Sequence, residues 1–219
     1  MLSERRASTG FVRWLGLTAL AYGLFHHVGA EFSWLGRVGD SRWADWVDLF
    51  TPFAFLLCAA AALRAGQADR RSWALYLVGA VMYAEGHGIH LSANSIGNVA
   101  PSGIAHLWDE VVGHYIWYTG VAVVFAALAV TLARREPARG AVPYLLAVVV
   151  GSTWATNCLE GGTVLLGMAV AAGFIAWGWA TRAGLGRLLL VAHVCALAVL
   201  MGYGIWQLGF PQPSELGWI

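Results

Sequence analysis

The run DEVVGHYIWYTGVAVVFAALAVTLARREPARG, residues 109–140, decides the fold. From Val111 to Leu132 it carries no charged side chain, and it is bracketed by Asp109 and Glu110 on one side and Arg134 and Arg135 on the other. A helix needs roughly 20 mostly apolar residues to cross a bilayer, so this run predicts one complete crossing with an acidic end and a basic end. Basic residues concentrate on the cytoplasmic side of membrane proteins, so the Arg134 end is read as the inner one.

Working outward, the same reading gives six more spans: Phe11 to Gly29, Trp46 to Leu63, Ser72 to Ser92, Ala141 to Thr156, Thr163 to Ala180, and Arg187 to Leu208. Turn or charge signals separate them at Gly39-Asp40-Ser41, Gly66 to Arg71, Pro101-Ser102-Gly103, Arg134 to Gly140, Gly161-Gly162 and Ala183 to Gly186, and Pro211-Gln212-Pro213 ends the last. Seven crossings with the N-terminus in the cytoplasm put Arg5, Arg6, Arg13, Arg64, Arg70, Arg71, Arg134, Arg135, Arg139, Arg182 and Arg187 inside, against only Arg37 and Arg42 outside. A missed or invented span would scramble that division. Most acids sort the other way: Glu31, Asp40, Asp45, Asp48, Asp109, Glu110, Glu160 and Glu215 fall on or near the outer side.

The expected fold is therefore all-α, a polytopic helical bundle of about seven transmembrane helices forming a single integral membrane domain over residues 1–219, with the C-terminus outside. Bulk composition agrees. The 219 residues are 59% hydrophobic and only 11% charged, less than half the roughly 25% of a soluble domain. A net charge of +1 with no basic stripe argues against a nucleic-acid partner. Arg5, Arg6 and Arg13 followed by an apolar run imitate a signal peptide, but His26 and His27 interrupt its end and no small-residue cleavage site follows cleanly, so a retained span is expected. All 13 basic residues are arginine, a bias that suggests a high-GC bacterium and hence its inner, plasma membrane. Cys58, Cys158 and Cys195 are scattered in apolar runs, form no CxxC pair, and read as small buried hydrophobes.

Polar chemistry gathers at the outer ends of four spans. The first ends in Phe25-His26-His27-Val28-Gly29-Ala30-Glu31. The third ends in Tyr83-Ala84-Glu85-Gly86-His87-Gly88-Ile89-His90-Leu91-Ser92-Ala93-Asn94. The fourth begins with His106-Leu107-Trp108-Asp109-Glu110-Val111-Val112-Gly113-His114, and the fifth ends in Thr156-Asn157-Cys158-Leu159-Glu160. Alternating direction brings these segments to one membrane depth. Side chains three or four apart share a helix face, which aligns His87, His90 and Asn94, pairs Glu110 with His114, His27 with Glu31, and Asn157 with Glu160. On the same period Asp109 points to another face and reads as an N-terminal charge, like Asp45 and Asp48. His27 is preferred to His26, and His106 and His193 read as non-ligands.

Imidazole and carboxylate together suit zinc or non-haem iron. The expected metal set is His27, Glu31, His87, His90, Glu110 and His114, holding one or two divalent ions. Glu85 and Glu160 are the expected proton-transfer residues, and Asn94, Asn157, Trp117 and Tyr118 are expected to line a substrate pocket. The expected activity is that of an intramembrane metalloenzyme acting on a lipid or isoprenoid-like substrate, with hydrolysis favoured over oxidation. In architecture it resembles the seven-helix intramembrane zinc hydrolases such as alkaline ceramidases, although their motif order and spacing are not reproduced. A second reading is metal-free acid–base isomerisation or cyclisation, similar to membrane terpene cyclases, with Glu85 as the acid amid Tyr83, Trp117 and Tyr118. A third is transport or sensing of a metal ion or protons. It ranks lower because the cytoplasmic halves of the first six spans offer no polar path.

Overall fold

Glycines spaced seven apart on two successive helices set a backbone-to-backbone contact between them. In the computed structural model a Cβ on Gly79 would meet the Gly120 carbonyl oxygen at 2.8 Å, and one on Gly86 would meet the Gly113 carbonyl oxygen at 2.8 Å. A Cβ on Gly113 would meet the His90 backbone nitrogen at 2.9 Å. Without side chains at these four positions, two antiparallel helices touch backbone to backbone, as small residues allow in membrane bundles.

The structure describes residues 2–28, 32–133, 140–181 and 186–218, with seven helices among them. They are α1 (Leu2–Phe25), α2 (Trp43–Ala65), α3 (Arg70–Gly97), α4 (Gly103–Leu132), α5 (Val142–Glu160), α6 (Val164–Thr181) and α7 (Gly186–Gln207). Helix α2 turns at Leu49 and Phe50, between the segments Trp43–Asp48 and Thr51–Ala65. Gly29, Glu31, the cluster at 134–139 and the break at 182–185 lie outside the described residues, and four of the arginines used in the charge division fall there.

The all-helical expectation is met. Five of the helices (α2, α4, α5, α6 and α7) are long and apolar enough to cross a membrane. Helix α3 spans 28 residues, but Glu85, His87, His90, Ser92 and Asn94 interrupt its apolar character. Helix α1 offers a shorter apolar stretch, Gly10–Phe25. The α1–α2 loop also contains a small antiparallel hairpin, Arg37–Val38 paired with Ser41–Arg42. Gly39 there has φ of 61°, a conformation glycine adopts without a Cβ clash.

Helix α3 packs most extensively on α4, α1 on α2, and α7 on both α5 and α6. The core between them holds Tyr22, Phe55, Tyr83, Val121, Val124 and Trp154, all fully buried. Local hydrogen bonds cap two of the helix starts. The Asp69 carboxylate accepts from the Ser72 amide at the start of α3, and the Ser102 hydroxyl accepts from the Ala105 amide at the start of α4.

The feature that positions the site is a π-helical turn, Leu107–Gly113, inside α4. A π turn closes its hydrogen bonds at i→i+5 rather than i→i+4. Residues five apart, which an α-helix separates by about 140° at 3.6 residues per turn, are thereby brought toward one face. Asp109 and His114 are five apart.

Candidate metal centre

His90, Asp109 and His114 converge. One potential ligand atom from each lies within 4.8 Å of the other two, so this group can hold a metal ion. His90 Nδ1 and Asp109 Oδ1 are 2.6 Å apart, with both side chains largely buried. Neither atom has a properly directed hydrogen bond, despite being shut off from solvent. Buried polar atoms are nearly always hydrogen-bonded. The two atoms form a close imidazole–carboxylate pair with no other hydrogen-bond partner among the described residues, and a cation shared with His114 would satisfy both, so the donor set fits a metal ion.

His114 is held from behind. Its Nδ1 donates to the Glu110 carbonyl oxygen at 3.2 Å and lies 3.5 Å from Glu110 Oε2. Because a carbonyl can only accept, the proton belongs on Nδ1, which leaves Nε2 with a lone pair for an ion. A ligating imidazole commonly donates its other N–H to a carbonyl or carboxylate in this way. The Glu110 carboxylate in turn accepts from Gln212 Nε2 at 2.9 Å. Asp109 thus takes the place that the α-helical period gave to Glu110, and the π turn is the reason.

His87 does not join that group. Its ring lies 6.3 Å from the His90 ring, centroid to centroid, and its buried Nε2 is 3.3 Å from Asp48 Oδ1. Asp48 also accepts from the Thr51 hydroxyl at 2.5 Å. An acid that reads in the sequence as a helix-start charge is therefore the partner of a core histidine. The bend in α2 places Asp48 inward, and hydrophobic periodicity does not report such a bend.

Of the two adjacent histidines in α1, His26 is the one that faces the aromatic centre. Its Nδ1 donates to the Tyr22 carbonyl at 3.0 Å and its Nε2 accepts from the Tyr83 hydroxyl at 2.9 Å, so both nitrogens are occupied. His27 Nε2 lies 3.4 Å from the Thr153 hydroxyl, toward α5. Glu31, its expected companion, is outside the described residues.

Trp117 is the hub of the site. Its ring centroid is 4.7 Å from that of His87, 5.2 Å from His90, 5.7 Å from His114 and 5.6 Å from His26. Tyr118 stacks on His114 at 5.4 Å with 17° between the planes. Both aromatic residues are buried, so they wall the group on its inner side.

The remaining expected residues are dispersed. Asn94 accepts from Asn98 one turn along α3 at 3.1 Å. Asn157 is buried, and its amide nitrogen has no hydrogen-bond partner among the described residues. Glu160 anchors the C-terminal tail: its carbonyl accepts from Gln212 Nε2 at 2.7 Å and its carboxylate from the Ser214 amide at 3.1 Å. Glu85 is exposed on the opposite side of α3 and lines a separate cleft. His106 is exposed. His193 donates to the Leu189 carbonyl at 2.9 Å and packs on Phe174.

Comparison with protein-family models, with curated proteins and with solved structures finds nothing that matches the chain.

Proposed function

We propose that the chain is a seven-span enzyme of the bacterial plasma membrane, with its N-terminus cytoplasmic and its C-terminus outside. It uses a divalent ion, zinc or iron, held by His90, Asp109 and His114 to act on a lipid or isoprenoid-like substrate. The observation that carries this reading is the convergence of two imidazoles and a carboxylate, with His90 Nδ1 and Asp109 Oδ1 buried and without a directed hydrogen bond. A ligand set of two histidines and one carboxylate leaves coordination positions open for a substrate. It is found in zinc hydrolases and in non-haem iron enzymes alike. Three ligands suffice for one ion and fall short of the histidine-rich shell of a membrane di-iron oxidase, so hydrolysis is favoured.

The bound ion supplies Lewis-acid polarisation of the substrate. The chain supplies the rest. Glu110 orients His114 and is the nearest carboxylate outside the group able to take or give a proton. Trp117 and Tyr118 keep the inner side of the site dry. The tail, tied down through Gln212 to Glu110 and Glu160, closes the outer side. With α1 and α3 counted as crossings, the arginine division places this group near the outer leaflet, within reach of a lipid headgroup.

The test is turnover of a total bacterial lipid extract by the reconstituted protein, followed by mass spectrometry. Products are expected that vanish with a membrane-permeant chelator and with Asp109→Asn. Zinc restores them if the chemistry is hydrolytic, and ferrous iron with oxygen if it is oxidative. Turnover that persists in chelator and in Asp109→Asn would contradict the metalloenzyme reading and favour metal-free acid–base chemistry.

A further inference from the structure

Glu85 stands apart from the metal group, and the mechanism does not use it. It sits near the middle of α3, about 22 Å of helix beyond Arg70 and about 18 Å short of Gly97 at roughly 1.5 Å per residue. Its side chain is exposed on the outside of the bundle. Among the described residues it has no ion pair and no hydrogen bond. A charged side chain at the centre of a spanning helix costs on the order of 2.5–3.5 kcal/mol on insertion scales, so a carboxylate there calls for a complement.

The surroundings of Glu85 define what that complement is. It lines a cleft of about 690 Å³ between α3 and the start of α4, with Gly88, Ser92, Ser102, Ala105 and Trp108. Cavities of that size suit small organic ligands. Gly88 leaves open space, since a Cβ there would meet nothing within 4 Å. Trp108 is 46% exposed and offers an indole face, the aromatic surface that attracts cations most strongly. One carboxylate and one indole on a wall whose other side chains are uncharged, apolar apart from the hydroxyls of Ser92 and Ser102, match an organic cation.

A second copy of the chain does not supply that charge. All thirteen arginines fall in loops or near span ends, and there is no lysine. A symmetric neighbour would set another Glu85 against this one.

We propose that the cleft between Glu85 and Trp108 binds a lipophilic organic cation, an amine or quaternary ammonium group on an apolar body, entering from the outer leaflet. The proposal rests on the membrane placement of α3 and is independent of the metal chemistry.

The experiment measures binding of radiolabelled tetraphenylphosphonium to the full-length protein in nanodiscs, with triphenylphosphine oxide as the uncharged control. Saturable binding near one cation per chain is expected. It should weaken at least tenfold in Glu85→Gln and roughly fivefold in Trp108→Leu, with no saturable binding of the control. Glu85→Gln should keep its metal content and its elution volume, which shows that the loss is local. Equal binding by Glu85→Gln, or no saturable binding by the folded wild type, would overturn the proposal. So would high-yield disulfide cross-linking of Glu85→Cys between copies, because the occupant would then be a second chain. A wild type that binds the cation but no metal would overturn the metalloenzyme reading alone.

Discussion

Asp109 and Glu110 are neighbours in sequence with different work in the structure. Asp109 presents a buried oxygen to His90, whereas Glu110 backs His114 and is itself held by Gln212. Asp109→Asn is expected to abolish metal binding. Glu110→Gln should retain the ion with affinity lowered about 10–100-fold, the usual cost of removing a group that orients a ligand. Competition against a chelator of known affinity measures both, and the reverse order would return the ligand role to Glu110. His87, His90 and His114 were legible as polar residues of one membrane depth, because the 3.6-residue period and alternating spans suffice for that. Asp109 and Asp48 were not. Each depends on a departure from regular α-helix, one a π turn and the other a bend, and hydropathy carries no mark of either.

The α3–α4 pair is the element on which the site depends. Its seam of Gly79, Gly86, Gly113 and Gly120 brings the His90 backbone against the π turn, and no other residue type permits that approach. A Cβ at Gly86 would strike backbone atoms of Trp117 and Gly113, which cannot move aside as a side-chain tip can. Gly86→Ala should therefore destabilise the protein by about 1–3 kcal/mol, as overpacking does, and weaken metal binding as α3 and α4 separate. Gly173→Ala on α6, where a Cβ meets nothing within 4 Å, should leave both unchanged. Thermal unfolding in detergent, followed by tryptophan fluorescence, separates the two outcomes. Equal melting temperatures for both variants would refute the seam. The sequence shows a glycine in each helix, but not that Gly86 and Gly113 oppose each other. That pairing comes from the register of two antiparallel helices, which the sequence of either helix leaves open.

At the scale of the molecule, the described residues form seven helices, and the proposed seven-span topology divides the arginines eleven to two. Five helices qualify as crossings by length and composition. The other two fall short for identifiable reasons: α3 carries the site, and α1 has a shorter apolar stretch. A cysteine at Ser41 should react with a membrane-impermeant maleimide in intact cells, whereas one at Gln67 should react only after permeabilisation, the native cysteines having been replaced. Labelling of both from outside would break the seven-span topology. The central claim is that His90, Asp109 and His114 hold a metal ion. Its most direct test is elemental analysis of the purified protein, prepared without a histidine tag, beside a folded His90→Ala/His114→Ala double variant. The account predicts about one equivalent of zinc or iron in the wild type and none in the double variant. A folded wild type without metal after exposure to both ions, or a double variant that keeps its metal, would contradict it.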